Sequence, residues 1–242
     1  MQCALCKLDS ELRNSHIVPE FIHRPVYDDK HRTLLFGYGE SSYRLLQKGL
    51  RERLLCDDCE QRIQEFEDYF AQYWYQSHLV PMKIEDAELH HKGFDYRRVK
   101  LLMLSIVWRA SVSKLPEYAT VTLGPHEEPI RKMILDGNPS TRDNYPIFAG
   151  LIIDPETREL WDQVILSPLR IRVGPHWACR MVFGGASWTV ITSSHLPLTL
   201  QDHFLSESGD LRFSVVTWTE FAKVTGLVET AQRLNCIMDR KN

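Results

Sequence analysis

Two C-x-x-C pairs, Cys3-Ala4-Leu5-Cys6 and Cys56-Asp57-Asp58-Cys59, constrain this chain more than any other feature. Cysteines this close seldom bridge each other outside redox motifs. Two such pairs a few dozen residues apart have the spacing of one four-thiolate zinc site. Cys56 and Cys59 stand at the start of an amphipathic segment, so a helix beginning there presents both thiols on one side of its first turn. The positive helix N-terminus favours thiolate over thiol at that point. Cys3 and Cys6 would come from a knuckle, and the metal would tie that knuckle to the later helix. Four thiolates fill a tetrahedral shell and leave no position for a reacting water, so such a zinc is scaffold. The other reading is a cluster of reduced, buried thiols.

Between and beside the pairs lie Ser15-His16-Ile17-Val18-Pro19 and Leu55-Cys56-x-x-Cys59-Glu60. In order and spacing this first third of the chain resembles the HNH endonucleases, the His-Me finger group. It is most similar to small bacterial and phage members in which Ser or Ala precedes the histidine and an acid follows the last cysteine. The resemblance implies an N-terminal zinc-bound treble clef (a ββα-metal fold) and metal-dependent hydrolysis of DNA. It implies His16 as the base that activates water, a role suited to a group that titrates near neutrality. Glu60 takes the helix position that would hold a catalytic magnesium or manganese ion, for which a carboxylate is a suitable hard ligand. It also implies a setting in phage defence, phage genomes or mobile elements. The sequence departs from the pattern at Ser15, where many members carry an acid, at Glu60, where Asn is usual, and between His16 and Cys56, where there is no Asn. The competing class is a non-catalytic zinc treble clef that binds nucleic acid or a protein. In that reading His16 is a satisfied core histidine, and Asp57, Asp58 and Glu60 simply favour a helix N-terminus.

Length and composition allow a sizeable core: 242 residues, 43% hydrophobic and 25% charged, suit one large or two modest globular domains. The division expected is 1–78 for the cysteine-bearing domain, 79–93 for a linker and 94–242 for a helix-plus-antiparallel-sheet module, giving an α+β protein overall. That module would bind a protein partner or a second copy, regulate, or hold DNA. No charged n-region with an apolar run opens the chain, and the longest apolar segment, around Val99 to Trp108, is too short to span a bilayer. A cytoplasmic, reducing location without membrane contact is therefore expected, in keeping with free thiols and zinc.

The helical expectations are specific. Ile63, Phe66, Phe70, Tyr73 and Trp74 form a buried stripe on a helix from Asp57 to about Ser77, and Glu67, seven residues beyond Glu60 on the same face, is either a partner that supports the Glu60 ligand or, as the commoner case, a solvated acid. Phe94 to Ser113 is apolar nearly all round and must be buried, with Arg109 needing a partner or an exit to solvent. Glu127 to Leu135 is a short helix stopped at Gly137, and Thr217-Trp218-Thr219-Glu220 is a capping box opening a final helix to about Met238. Strands are expected at Ala119–Leu123, Ile147–Ile153, Val164–Val173, Cys179–Phe183, Trp188–Thr192 and Leu211–Val216, in an antiparallel sheet or partial barrel, with Gly184-Gly185 as a hairpin turn. Weaker signals give a short helix from Phe21 interrupted by Pro25, strands near Thr33–Tyr38 and Tyr43–Gln47, and surface positions for His90 and His91.

A net charge of −3 argues against general affinity for nucleic acid. The charge is uneven, however. No acid occurs from Gln163 to Gln201, a stretch holding Arg170, Arg172 and Arg180, and Arg97 and Arg98 form a second basic group. Solvated faces and local ion pairs explain such groups; a nuclease reading gives them the DNA backbone to hold. Cys179 and Cys236 are expected as small buried residues. His176 and Cys179, three apart on a strand, would face opposite ways.

Overall fold

The computed structural model describes residues 1–27, 32–36, 43–47, 49–76, 80–81, 83–193, 195 and 198–225. Residues 37 and 38 of the expected first hairpin strand, Cys236, and the final helix beyond residue 225 lie outside this set.

The cysteine-bearing stretch begins with a tight turn over 4–6, closed by Cys3 N donating to Leu8 O and Lys7 N donating to Cys3 O. Strand β1 (Asn14–His16) follows, then α1 (Glu20–His23) running into a 3-10 turn at Arg24–Val26 where Pro25 cannot donate. β2 (Arg32–Phe36) and β3 (Tyr43–Gln47) pair with each other antiparallel, and β4 (Arg51–Arg53) returns to pair antiparallel with β1. Three residues then separate β4 from helix α2 (Asp57–Gln76). Cys59, Ile63, Phe66, Phe70 and Trp74 form its buried face, at the three- and four-residue intervals expected of a helix stripe.

Helix α3 (Tyr96–Val112) is the hub. Its N-cap is Asp95, whose Oδ1 accepts from Arg98 N at 2.9 Å, and twelve consecutive residues from Val99 to Ala110 are buried. It packs against α2, against α4 (Glu127–Asp136), and against the sheet. α4 ends at Gly137, whose φ of +63° allows the left-handed cap that returns two backbone carbonyls their donors. Lys100, 1% exposed, reaches from α3 to Thr141 O and Tyr96 Oη and fastens the 137–146 loop.

The sheet has six strands in the order β5 (Glu88–His91), β10 (Leu211–Thr217), β6 (Ile147–Ile153), β9 (Ala186–Ile191), β8 (His176–Phe183), β7 (Leu166–Val173). Gly184 and Gly185, with φ of +58° and +72°, form the two-residue turn between β8 and β9 that a tight hairpin requires. Helix α5 (Trp218–Thr225) opens with the expected box: Thr217 N donates to Glu220 Oε2 at 2.9 Å and Glu220 N donates to Thr217 Oγ1 at 3.3 Å.

Three expectations are corrected. The sheet is mixed, because β10 runs parallel to β6, and it is open, with β5 and β7 at its edges. Ala119–Leu123 is not a strand: 3-10 turns at Pro116–Tyr118 and Gly124–His126 bracket it, and Val121 and Leu123 enter the core without a neighbouring strand. The 79–93 stretch supplies β5, which pairs with β10 through His91 opposite Leu211. His90 is exposed there, while His91 is half-buried, hydrogen-bonded to Tyr73 Oη at 3.1 Å and packed on Phe94.

One hydrophobic cluster runs from Cys3, Leu5 and Ile17 through Phe66, Phe70 and Trp74 to Trp108, Trp188 and Phe213. Residues from the expected first and third divisions thus share a core. Trp74 shows the join: its Nε1 donates to Gly184 O at 3.0 Å while its ring lies 5.3 Å from that of Trp188. The aromatic stripe of α2 is core. Among the described residues no helix is long and apolar enough to cross a membrane.

Candidate metal centre and its histidine strand

The four thiols expected to share a metal do converge. The Sγ atoms of Cys3, Cys6, Cys56 and Cys59 all lie within 4.8 Å of one another, and Cys6 Sγ is 3.8 Å from Cys56 Sγ. Zinc–sulfur bonds of about 2.3 Å in a tetrahedron put sulfurs roughly 3.8 Å apart, so the spacing suits a metal of that size. Two folds of the chain make this cluster. The 4–6 turn presents Cys3 and Cys6, and the first turn of α2 presents Cys56 and Cys59. Ala4 N donates to Leu54 O at 3.0 Å and Cys56 N to Cys3 Sγ at 3.3 Å, locking one against the other. From α4, Arg131 donates to Leu5 O while pairing with Glu128.

Burial acts to raise the Cys3 pKa, but N–H groups around its sulfur, from Cys6, Cys56 and Leu5, bring it down to about 7. Cys59 is pushed up, first by burial and then by the neighbouring thiols. Four crowded sulfurs cannot all ionise without a cation among them, and a divalent metal is what such a donor set accommodates.

Beside this cluster stands the histidine strand. Ser15 is 2% exposed and its Oγ accepts from Leu55 N at 3.2 Å, so the hydroxyl serves the backbone entering α2. His16 ends β1 directly opposite Arg51 on β4. Arg51 Nε donates to His16 Nε2 at 2.8 Å. On its backbone, His16 O accepts from Arg109 Nη1 at 2.8 Å, and Arg109 Nη2 also donates to Glu67 Oε1 at 2.9 Å. Arg109 has thus found the partner it needed. Glu67 is not a solvated acid: its side chain is only 20% exposed, and burial raises its pKa against the pull of Arg109.

Glu20, on α1, stands 3.8 Å from Arg51 Nη2. His23, one helical turn on, is 7% exposed, and neither ring nitrogen has a hydrogen-bond partner among the described residues. Burial, and then the nearby His16, lower its pKa to about 4 against the opposing pull of Glu20, so the ring is neutral. Gly49 is pressed between the two imidazoles: a Cβ there would sit 3.1 Å from His23 Nε2 and 3.6 Å from His16 Cδ2.

Glu60 Oε1, in the first turn of α2, is buried without a hydrogen-bond partner among the described residues. An orphaned carboxylate oxygen fits a cation ligand. Among the described residues the four cysteines are the one group of three or more His, Cys, Asp or Glu side chains placed to hold a metal ion together.

The five arginines expected against DNA fall in three places. Arg97 and Arg98 both pair with Glu65, at 3.1 and 3.3 Å. Arg170 and Arg172 stack on the Trp177 ring at 3.7 and 3.6 Å. The register puts Arg172 opposite Trp177 and Arg170 opposite Cys179, so Arg180 projects from the other face of the sheet, near Phe221 and Thr189 Oγ1. The three do not make one positive face. Cys179 is fully buried, which raises its pKa to about 12, so it is an inert core residue.

Arg51, Gly49 and His23 carried no motif of their own. Their connection to His16 depends on the β1–β4 register, which the sequence reveals only once the pairing is known. Comparison with family models, with curated proteins and with solved structures finds no match for this chain.

Proposed function

We propose that the chain is a metal-dependent DNA endonuclease of HNH type, with His16 as general base. The order of knuckle, antiparallel pair and helix around four converging thiols supports reading the N-terminal stretch as a zinc treble clef. The observation that carries the proposal is the anchoring of His16. A closed four-thiolate shell has no position for a reacting water, so chemistry must lie elsewhere, and beside that scaffold His16 is held through both its carbonyl and its ring. A backbone fixed by a buried arginine is the kind of positioning that a proton-transferring side chain needs.

The proton to be moved is that of the attacking water, and His16 Nε2 is the atom to receive it. Ser15 serves the helix entry and contributes nothing to a cation site. Glu60 would hold a magnesium or manganese ion, which when bound supplies charge neutralisation at the phosphate and at the leaving oxygen. Arg170 and Arg172, with no acid in their stretch of sequence, are the residues offered to a DNA backbone. Arg97 and Arg98 are already engaged by Glu65.

The second reading, a zinc module that binds nucleic acid or protein without cleaving, is favoured by one observation: the Nε2 lone pair of His16 is occupied by Arg51. Incubating supercoiled plasmid and single-stranded DNA with the purified, zinc-loaded protein in magnesium or manganese separates the two. The proposal expects nicked circles that EDTA abolishes. Intact DNA after prolonged incubation in both metals, with retention in a gel-shift assay, supports the binding module instead.

A further inference from the structure

We propose that Arg170, Trp177 and Arg172 form a phosphate clamp on the β7–β8 hairpin, in which the indole holds two guanidiniums apart so that each takes one phosphate of a duplex DNA strand. The identity of that anion rests on the nuclease reading above; the clamp itself rests on the hairpin.

Cross-strand register builds it. Arg170 and Arg172 lie two apart on β7 and so share a face, and Trp177 on β8 stands directly opposite Arg172. The two guanidinium carbons are 3.7 and 3.6 Å from the centroid of the Trp177 ring. A carbon that near a centroid stands almost directly over it. One ring face has no room for two, so one guanidinium lies on each side of the indole. They are thus about 7 Å apart, each in cation–π contact with the ring between them.

Stacking fixes the planes of the two groups and leaves their edges. A guanidinium donates hydrogen bonds in its own plane, so an arginine laid flat on an indole keeps its donors for another acceptor. Within the protein those donors find little. Arg172 Nη1 donates to Pro175 O at 2.6 Å, Arg170 Nε is buried with no hydrogen-bond partner, and no carboxylate among the described residues pairs with either arginine. Arg97 and Arg98 are the contrast, since both pair with Glu65. The sequence has no acid from Gln163 to Gln201, which spans the hairpin and its next strand, in a protein whose net charge is −3. β7 is an edge strand and Arg172 is exposed on it, so the clamp stands where a partner can reach it.

The occupant follows from what is covered. Proteins that hold single strands offer aromatic faces on which bases stack. Both faces of Trp177 are taken, and only guanidinium edges remain. Two cations separated by the thickness of an indole sandwich are too far apart to grip one phosphate in plane, and they suit successive phosphates of one strand. A duplex turns its phosphates outward and keeps its bases inside, so it can be held without any base contact. Contacts of this kind position DNA and carry no sequence information.

The test is binding of a labelled, mixed-sequence duplex to the full-length, zinc-loaded protein, read by fluorescence anisotropy at a series of salt concentrations. Magnesium and manganese are left out so that nothing is cut. The wild type should bind the duplex more tightly than either separated strand, and poly-glutamate should not displace it. Arg170→Gln and Arg172→Gln should each lower the slope of log affinity against log salt by about 0.9, the worth of one phosphate contact. Trp177→Leu, and the double variant Arg170→Lys with Arg172→Lys, keep the charge but lose the stack; each should weaken binding at least about fivefold with zinc retained, the worth of a cation–π contact. Unchanged slopes in both glutamine variants overturn the clamp, even if plasmid is nicked. Wild-type affinity in both charge-preserving variants overturns it too, since charge alone then suffices. Tighter binding of single strands, or displacement by poly-glutamate, overturns it as well. Clamp-dependent duplex binding without any nicking supports the clamp and removes the nuclease reading.

Discussion

Replacing Arg109 by Met should be among the most damaging single changes in the molecule. The side chain is 1% exposed and donates to His16 O at 2.8 Å, to Glu67 Oε1 at 2.9 Å and to Ser105 O at 3.3 Å. Methionine fills most of the volume and makes none of these bonds. Glu67 is left in a mostly buried position with no cation, and its ionised form becomes expensive; the carbonyl of His16 loses a charged donor. Breaking a buried pair from one side costs about 3–5 kcal/mol, because the surviving charge has lost its compensation. Removing the charge of Glu67 as well should return part of that loss, so the pair Arg109→Met and Glu67→Gln should be more stable than Arg109→Met alone. Urea unfolding of the zinc-loaded wild type, both single variants and the double variant at pH 7 gives the coupling directly. A loss under about 1 kcal/mol for Arg109→Met, or a double variant no better than the single, would refute the argument that this ion pair carries the strand bearing His16.

Other expectations follow from the same contacts. Metal analysis should give one zinc per chain, and Cys59→Ser should lose it along with a cooperative unfolding transition, since a structural zinc site contributes its binding free energy to folding. His23 has its pKa lowered from 6.5 to about 4, so the unfolded chain binds a proton in that range while the native one does not. Stability is complete above pH 6.5 and falls as pH drops toward 4, by about 3 kcal/mol at 1.36 kcal/mol per pH unit. In His23→Leu that part of the acid slope should vanish, and an unchanged slope in urea titrations from pH 7 to 4.5 would contradict it. Gly184→Ala places a methyl 2.4 Å from Trp74 Nε1 at a residue with φ of +58°. Left-handed strain together with crowding should cost about 3 kcal/mol, read as a lowered urea midpoint.

What the sequence disclosed was local, and the reason is physical. The four cysteines, the α2 stripe, the Thr217–Glu220 box and the Gly184-Gly185 turn are each set by neighbours within a few residues, where helix and hairpin geometry dictates spacing. The parallel direction of the β6–β10 pair joins segments some sixty residues apart and is written in neither strand, and β5 is a polar Glu-Leu-His-His edge with no apolar alternation to read. Val121 and Leu123 alternate because both drop into the core between two turns, which mimics a strand over five residues. At the site, His16 was legible as a candidate, but its condition was not. Arg51 covers its ring and Arg109 holds its carbonyl through contacts that arise only when β1 meets β4 and α3.

The most direct measurement of the central claim is plasmid nicking in manganese by the wild type and by His16→Ala, each verified to hold one zinc per chain. The account predicts nicked circles from the wild type and a rate at least about a hundredfold lower from His16→Ala, the loss expected when a general base is removed. Equal rates from the two proteins would show that His16 is not the base, and no nicking by a folded, zinc-loaded wild type would contradict the nuclease itself.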